Sequence, residues 1–121
     1  MSKDSILLDK TLRFSVRILS LDKYLKKEKR EFVISKQIVR CGTSIGANAH
    51  EAVYAVSKAD FISKLQISLK ECAETEYWLR LLILSDYLPE REGSSLLADC
   101  GAIKGILTAT LKSSKMIRDP Q

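Results

Sequence analysis

Two groups of residues in this chain have types and spacings that could do chemistry. The first is cationic. Lys23, Lys26, Lys27, Lys29 and Arg30 place five positive charges in an eight-residue stretch, and Lys10, Arg13 and Arg17 precede them at spacings of 3 and 4. On a helix those three share a face. Such a set suits phosphate contacts, whose affinity falls steeply with salt. The plainer alternative is a solvated helix end followed by a polar loop. One aromatic, Tyr24, interleaves the run, which gives base stacking little support. The second group is polar. Ser44, Asn48 and Glu51 stand at spacings of 4 and 3 and so fall on one helical face. They fit a hydrogen-bond network inside a bundle or toward a neighbouring subunit, with Ser44 bonding back to the carbonyl four residues earlier. A buried Glu51 would need a partner, and Arg40 or Lys64 can supply one. Structure is favoured over catalysis for all three.

Several enzyme classes find no support. His50 is the one histidine, and it sits beside Glu51 rather than in the Glu-x-x-His spacing of bundle di-metal sites. Neither a Gly-x-Ser-x-Gly elbow nor a phosphate-cradling Gly loop occurs. Glu71 and Glu74 read as solvated or paired rather than as metal ligands. Cys41, Cys72 and Cys100 are far apart and form no Cys-x-x-Cys pair, so they read as small core hydrophobes in a reduced, cytoplasmic protein. The expectation is a protein that is not an enzyme, with no metal, no cofactor and no small-molecule substrate. A site built on Ser44, Asn48, His50 and Glu51 is the least favoured reading.

These residues must be positioned by long elements, because 121 residues with two Pro and five Gly supply few turns. Helical spacing runs from about Ser5 to Lys27 through Leu7, Phe14, Ile18, Leu21 and Leu25. Leu8, Leu12, Val16 and Leu19 add a second stripe, making an apolar face wider than one partner helix covers. A second segment, from about Phe32 to Ala55, keeps its apolar period from Ile34 to Val56 across Gly42 and Gly46. That predicts an unbroken helix with another backbone close to the glycine pair. The third opens on a capping box, Ser57 with Asp60. Phe61, Leu65, Leu69, Cys72, Leu79 and Ile83 mark its face. Asp60–Lys64, Lys70–Glu74 and Glu76–Arg80 are spaced as supporting ion pairs. The fourth runs from Pro89 or Ser95 to Ile117, with Leu96, Cys100, Ile103, Leu107, Thr110, Ser114 and Ile117 as its seam. Four such segments joined by short links predict an all-α, antiparallel up-down-up-down four-helix bundle over residues 1–121 as one domain. The surplus stripe on the first helix predicts a homo-oligomer.

Composition agrees and adds one asymmetry. At 45% hydrophobic and 29% charged, the chain reads as a soluble globular protein without a membrane span. Its net charge of +5 is uneven. Residues 1–40 carry 11 Lys and Arg against 5 Asp and Glu, whereas residues 41–90 carry 4 against 7. The basic excess therefore belongs to the first helix and its exit.

The run Val39-Arg40-Cys41-Gly42-Thr43-Ser44-Ile45-Gly46-Ala47-Asn48-Ala49-His50-Glu51-Ala52 resembles a family of four-helix-bundle proteins encoded in 23S rRNA intervening sequences. The family pattern Ser-Ile-x-Ala-Asn-x-x-Glu is matched by Ser44, Ile45, Ala47, Asn48 and Glu51. Its Phe-x-x-x-Leu-x-Ile-Ala/Ser-Leu run is matched from Phe61 to Leu69, and Glu76 to Leu82 fits as well. Two positions depart from it: Ala52 stands where many members have Gly, and His50 where an aliphatic residue is usual. The resemblance implies a ring-like homopentamer. A related bundle, the accessory protein of diversity-generating retroelements, has a basic surface and binds nucleic acid and a reverse transcriptase. The family itself has no settled activity. The combined expectation is a self-assembling bundle that contacts nucleic acid or a ribonucleoprotein partner through its basic first helix. The alternative is a protein-interaction scaffold with no nucleic-acid role.

Overall fold

Four helices follow one another: α1 (Lys3–Glu28), α2 (Ile34–Val53), α3 (Lys58–Leu84) and α4 (Glu90–Arg118). This computed structural model describes the backbone of residues 3–118 and the side chains of residues 5–115, and no strand occurs among them. Each helix packs on the next, and α4 returns to α1. The contacts pair residues in opposite chain directions. Gly42 and Gly46 of α2 meet Ile18 and Thr11 of α1. Ser68 of α3 donates to the Ile45 carbonyl and Thr75 to the Cys41 sulfur. Gly93 of α4 meets Ile83, while Cys100 donates to the Cys72 carbonyl. The senses therefore alternate along the chain, and the inner stripes Phe14–Ile18–Leu25, Ile38–Ile45, Leu65–Leu79 and Ile103–Leu107 are buried between the four helices.

α2 crosses its glycine pair unbroken, as its apolar period predicts. The compensation is close packing against α1. A Cβ on Gly42 would lie 2.9 Å from Ile18 Cγ1, and one on Gly46 would lie 3.1 Å from Thr11 Cβ and 3.4 Å from the Thr11 carbonyl. Backbone approach thus holds at Gly46, whereas a β-branched side chain fills the space at Gly42.

The buried faces differ from the expected ones in detail. α2 stops at Val53, and Val56 is 93% exposed in the link to α3. On α3 the face is rotated so that Ile62, Ser68, Thr75 and Leu82 are buried, while Phe61, Leu69 and Ile83 are half-buried. Ser68 and Thr75 fit the core because their hydroxyls are satisfied, Ser68 by the Ile45 carbonyl and Thr75 by the Glu71 carbonyl and Cys41 sulfur. On α4, Leu111 is buried and Thr110 half-buried; the Ile117 side chain lies outside the described residues.

Helix ends carry the remaining local chemistry. Ser57 accepts from the Asp60 N–H as expected, but Asp60 reaches back to the Val56 N–H rather than to Ser57. Glu31, unremarked in the sequence pattern, caps α2. Its carboxylate accepts from the N–H groups of Val33, Ile34 and Ser35 at 3.2, 3.0 and 2.8 Å. Those donors would otherwise lack partners at a helix start, where negative charge is also favoured. α3 ends in a Schellman turn, with Asp86 at φ 65° and N–H bonds from Asp86 to Ile83 and from Tyr87 to Leu82.

None of the expected ion pairs within α3 forms among the described residues. Lys64 pairs with Glu51, Glu74 with Arg40, and Glu76 with Lys104. Each partner on α3 points to a neighbouring helix, because these positions flank the buried stripe.

Alanine substitutions at the glycines test this packing. Gly42→Ala is expected to lower stability by about 1–2 kcal/mol, since Ile18 is in the way. Gly101→Ala and Gly105→Ala, with nothing within 4 Å of the added carbon, are expected to raise it by about 0.5–1 kcal/mol each. Urea unfolding followed by circular dichroism measures all three.

Candidate functional site

The outward face of α1 carries an apolar stripe that the bundle does not bury. Its inner stripe is buried, but Leu12, Val16 and Leu19 remain 67%, 59% and 46% exposed. Leu12 borders a groove of about 440 Å³ between α1 and α2, walled by Leu8, Ala47 and His50. Val16 borders another of about 380 Å³ between α1 and α4, with Tyr24, Leu88 and Leu96. Tyr24 is therefore a wall of the α1–α4 groove, half-buried against α4 rather than free for stacking.

The cations divide into two sets. Arg13 pairs with Asp9 at 2.9 Å, and Lys26 with Asp22 at 3.1 Å, both within α1. Arg17 reaches α4, with Asp99 at 2.7 Å and Glu92 at 3.8 Å. Lys10, Lys23, Lys27, Lys29 and Arg30 are exposed and make no ion pair among the described residues. Four of those five belong to the helix exit. Arg30 takes the left-handed conformation, φ 54°, that ends the α1 turn. Lys29 then lines a cavity with Leu84, Asp86, Pro89 and Glu90. The α1–α2 link and the α3–α4 turn thus meet at one end of the bundle. Phe32 and Val33 are exposed on the first of these segments and Tyr87 on the second, with Leu84 exposed at the end of α3 beside it.

Ser44 and Asn48 are brought together, but not as expected. Asn48 Nδ2 donates to the Ser44 carbonyl and to Ser44 Oγ, both at 2.9 Å, so Ser44 accepts from Asn48 rather than bonding back to residue 40. Glu51 is exposed and reaches Lys64 of α3 at 3.0 Å. That hydrogen bond raises the Lys64 ammonium above its ordinary value. Arg40, the other partner considered for Glu51, is committed to Glu71 and Glu74. His50 is exposed, with its ring 5.3 Å from that of Tyr54. The motif residues therefore tie α2 to itself and to α3. No hydroxyl among them is aimed at His50 in the bonds they make.

A stronger polar network lies on the α2–α3 seam. Glu74 accepts from the Arg40 guanidinium and from Trp78 Nε1, the latter at 3.0 Å. These two bonds, first from Arg40 and then from Trp78, hold the Glu74 carboxyl below the usual carboxylate range. Arg40 and Glu74 are 34 residues apart, and no helical spacing links them. Glu74 has Lys70 one turn away as a nearer candidate in the sequence, so no local signal points to Arg40.

The three cysteines are free and fully buried. Burial pushes the Cys41 thiol up. Cys100 is pushed far up by its hydrogen bond with the Cys72 thiol and then by burial. Such thiols are poor nucleophiles. Among the described residues no group of three or more His, Cys, Asp or Glu is placed to hold a metal ion, and no helix is long and apolar enough to cross a membrane.

Comparisons with known proteins bear on this arrangement. A model of the 23S rRNA-intervening sequence protein family matches residues 3–109. Among solved structures, the chain is similar to a protein of unknown function from the S23 ribosomal protein family of Bacteroides thetaiotaomicron VPI-5482. The two share 51% identity and a TM-score of 0.90, over 92% of this chain and 99% of that one. No curated protein matches.

Trp78 is the one tryptophan, so its fluorescence reports on Glu74. Folding favours the charged carboxylate, so the stabilisation is complete above about 4.5, the ordinary value, and is lost as pH falls through the lower folded value. A fluorescence transition with a midpoint below 4.5 is expected in the folded protein and is expected to vanish in Glu74→Gln.

Proposed function

The chain belongs to the 23S rRNA-intervening sequence protein family, and from that premise we propose that it is a non-enzymatic, self-assembling bundle whose α1 exit contacts nucleic acid or a ribonucleoprotein partner. The observation that carries self-assembly is the exposed stripe Leu12–Val16–Leu19. Large apolar side chains in a row on one helix face mark an interface more often than a solvated surface. A closed ring would cover the stripe on every subunit and repeat the cationic exit around its rim, strengthening the local field. Five subunits is the number that the family resemblance implies. Three buried free thiols suit a reducing compartment, so the proposal sets the protein in the cytoplasm.

The nucleic-acid part is carried by Lys23, Lys27, Lys29 and Arg30, whose charges are not neutralised by ion pairs among the described residues. A second reading, a pure protein-interaction scaffold, draws on Arg13, Arg17 and Lys26, which are held by acids of the same chain. Those three contribute less to an external field than their number suggests.

Mass in solution by light scattering is expected to give an oligomer at micromolar concentration. Leu12→Glu with Val16→Glu is expected to give a helical monomer. A monomeric wild-type protein would sink the assembly. RNA binding at low salt is expected to weaken at least about tenfold in Lys27→Glu with Lys29→Glu, as charge reversal beside phosphates requires. Absence of RNA binding in low salt would leave the scaffold reading.

A further inference from the structure

We infer that the end of the bundle where the α1–α2 link meets the α3–α4 turn binds unpaired nucleotides. Phe32 and Tyr87 serve as stacking surfaces, and Lys27, Lys29 and Arg30 as phosphate contacts. This rests on the nucleic-acid reading above and narrows its substrate class to single strands.

Three observations carry it. First, the fold joins what the sequence separates. Phe32 follows the cationic exit directly, whereas Tyr87 is more than fifty positions away on the turn whose neighbours Asp86 and Leu88 share a cavity with Lys29. Both rings are open to solvent, Phe32 at 54% and Tyr87 at 36%. A single strand presents base faces for stacking on aromatic rings and a backbone for cations to track. Second, the segments that carry the rings are fixed by backbone bonds. Glu31 is buried and takes three N–H groups of the α2 start, and Ser35 Oγ returns a bond to the Glu31 carbonyl. Tyr87 is held by its N–H bond to Leu82. Rings presented on such segments lose little freedom on binding.

Third, among the described cations of α1 and its exit, the unpaired ones gather at this end as Lys23, Lys27, Lys29 and Arg30, with Lys10 apart on the body of the helix. A duplex needs a track of contacts along its grooves, but Arg13 and Arg17 on the body of α1 are engaged by Asp9, Asp99 and Glu92. Asp86 and Glu90 at the edge of the Lys29 cavity add the opposite sign. The short cationic cluster beside two exposed rings fits a few nucleotides.

Anisotropy of labelled oligouridine, compared with the oligoadenine–oligouridine duplex, tests this with the full chain. The single strand is expected to bind more tightly. Phe32→Ala with Tyr87→Ala is expected to weaken it by roughly tenfold or more while leaving the salt slope unchanged. Lys29→Gln with Arg30→Gln is expected to lower the slope by about 1–1.5. Tyr87→Phe and Phe32→Trp keep a ring and are expected to retain binding, which separates stacking from any loss of fold in the alanine variants. Equal binding of both forms, unaffected by the rings, would overturn this inference and leave the broader reading standing. No binding of either nucleic acid would end both. Binding to phosphatidylserine vesicles instead of oligouridine would also overturn it.

Discussion

The close approach of α1 to α2 at Gly42 and Gly46 is the constraint on which the rest of the molecule depends. Ile18 and Thr11 occupy the space that two Cβ atoms would take, and that contact fixes the rotation of α1 about its own axis. Once Ile18 and Phe14 face inward, Leu12, Val16 and Leu19 must face out. The exposed stripe is therefore a consequence of core geometry and not a separate feature laid on a finished helix. Its exposure costs solubility, and burial of each such side chain is worth about 1.5–3 kcal/mol, so a partner surface has a clear driving force. At the α1 exit, Lys27, Lys29 and Arg30 stand in solvent.

Electrostatics follows the same division between body and end. Along the body, charges flank the buried stripes and are matched across helix boundaries: Arg17 to Asp99, Arg40 to Glu74, Lys64 to Glu51 and Lys104 to Glu76. Exposed pairs of this kind contribute at most about 1 kcal/mol, so their main effect is to favour one register of neighbours over others. The Arg40–Glu74–Trp78 set goes further, because two hydrogen bonds converge on one carboxylate. At the end of the bundle the pattern changes, and cations stand without such partners. Within a net charge of +5, the unpaired cations described on α1 and its link thus gather mainly at the helix exit, with Lys10 apart.

Much of the fold was legible from periodicity. Few Gly and Pro, four amphipathic runs and the Ser57 cap specify the helices. The apolar period crossing Gly42 and Gly46 specifies continuity. What periodicity could not show was the rotation of a wide apolar face. On α3, Phe61 and Ile62 compete for the same seam, and Ile62 wins because Ser68 and Thr75, six and thirteen residues on, find hydrogen-bond acceptors inside. Polar residues in a core are legible only once their partners are known. Charge partners failed for the same reason. Lys64, Glu74 and Glu76 each have an opposite charge one helical turn away, but cross-helix partners hold them closer to the buried seam. The family motif was legible as a motif, and its roles became clear only in three dimensions, Asn48 folding onto Ser44 and Glu51 crossing to α3.

The α1 exit shows how a local stability device can set a functional geometry. Sequence marks Lys29-Arg30-Glu31-Phe32 as polar loop with one aromatic. Glu31 changes that description. A carboxylate accepting three N–H groups can be buried because each negative oxygen has donors. Burying it pulls the link inward between the left-handed Arg30 and the first turn of α2. Residues on either side are then turned outward: Lys29 and Arg30 before it, Phe32 and Val33 after it. Cation and ring are exposed together because one acid between them is not. The arrangement follows from capping a helix in a short link, and it would hold whether or not the exposed side chains had a ligand. That makes Glu31, rather than any of the cations, the residue on which the shape of this end rests.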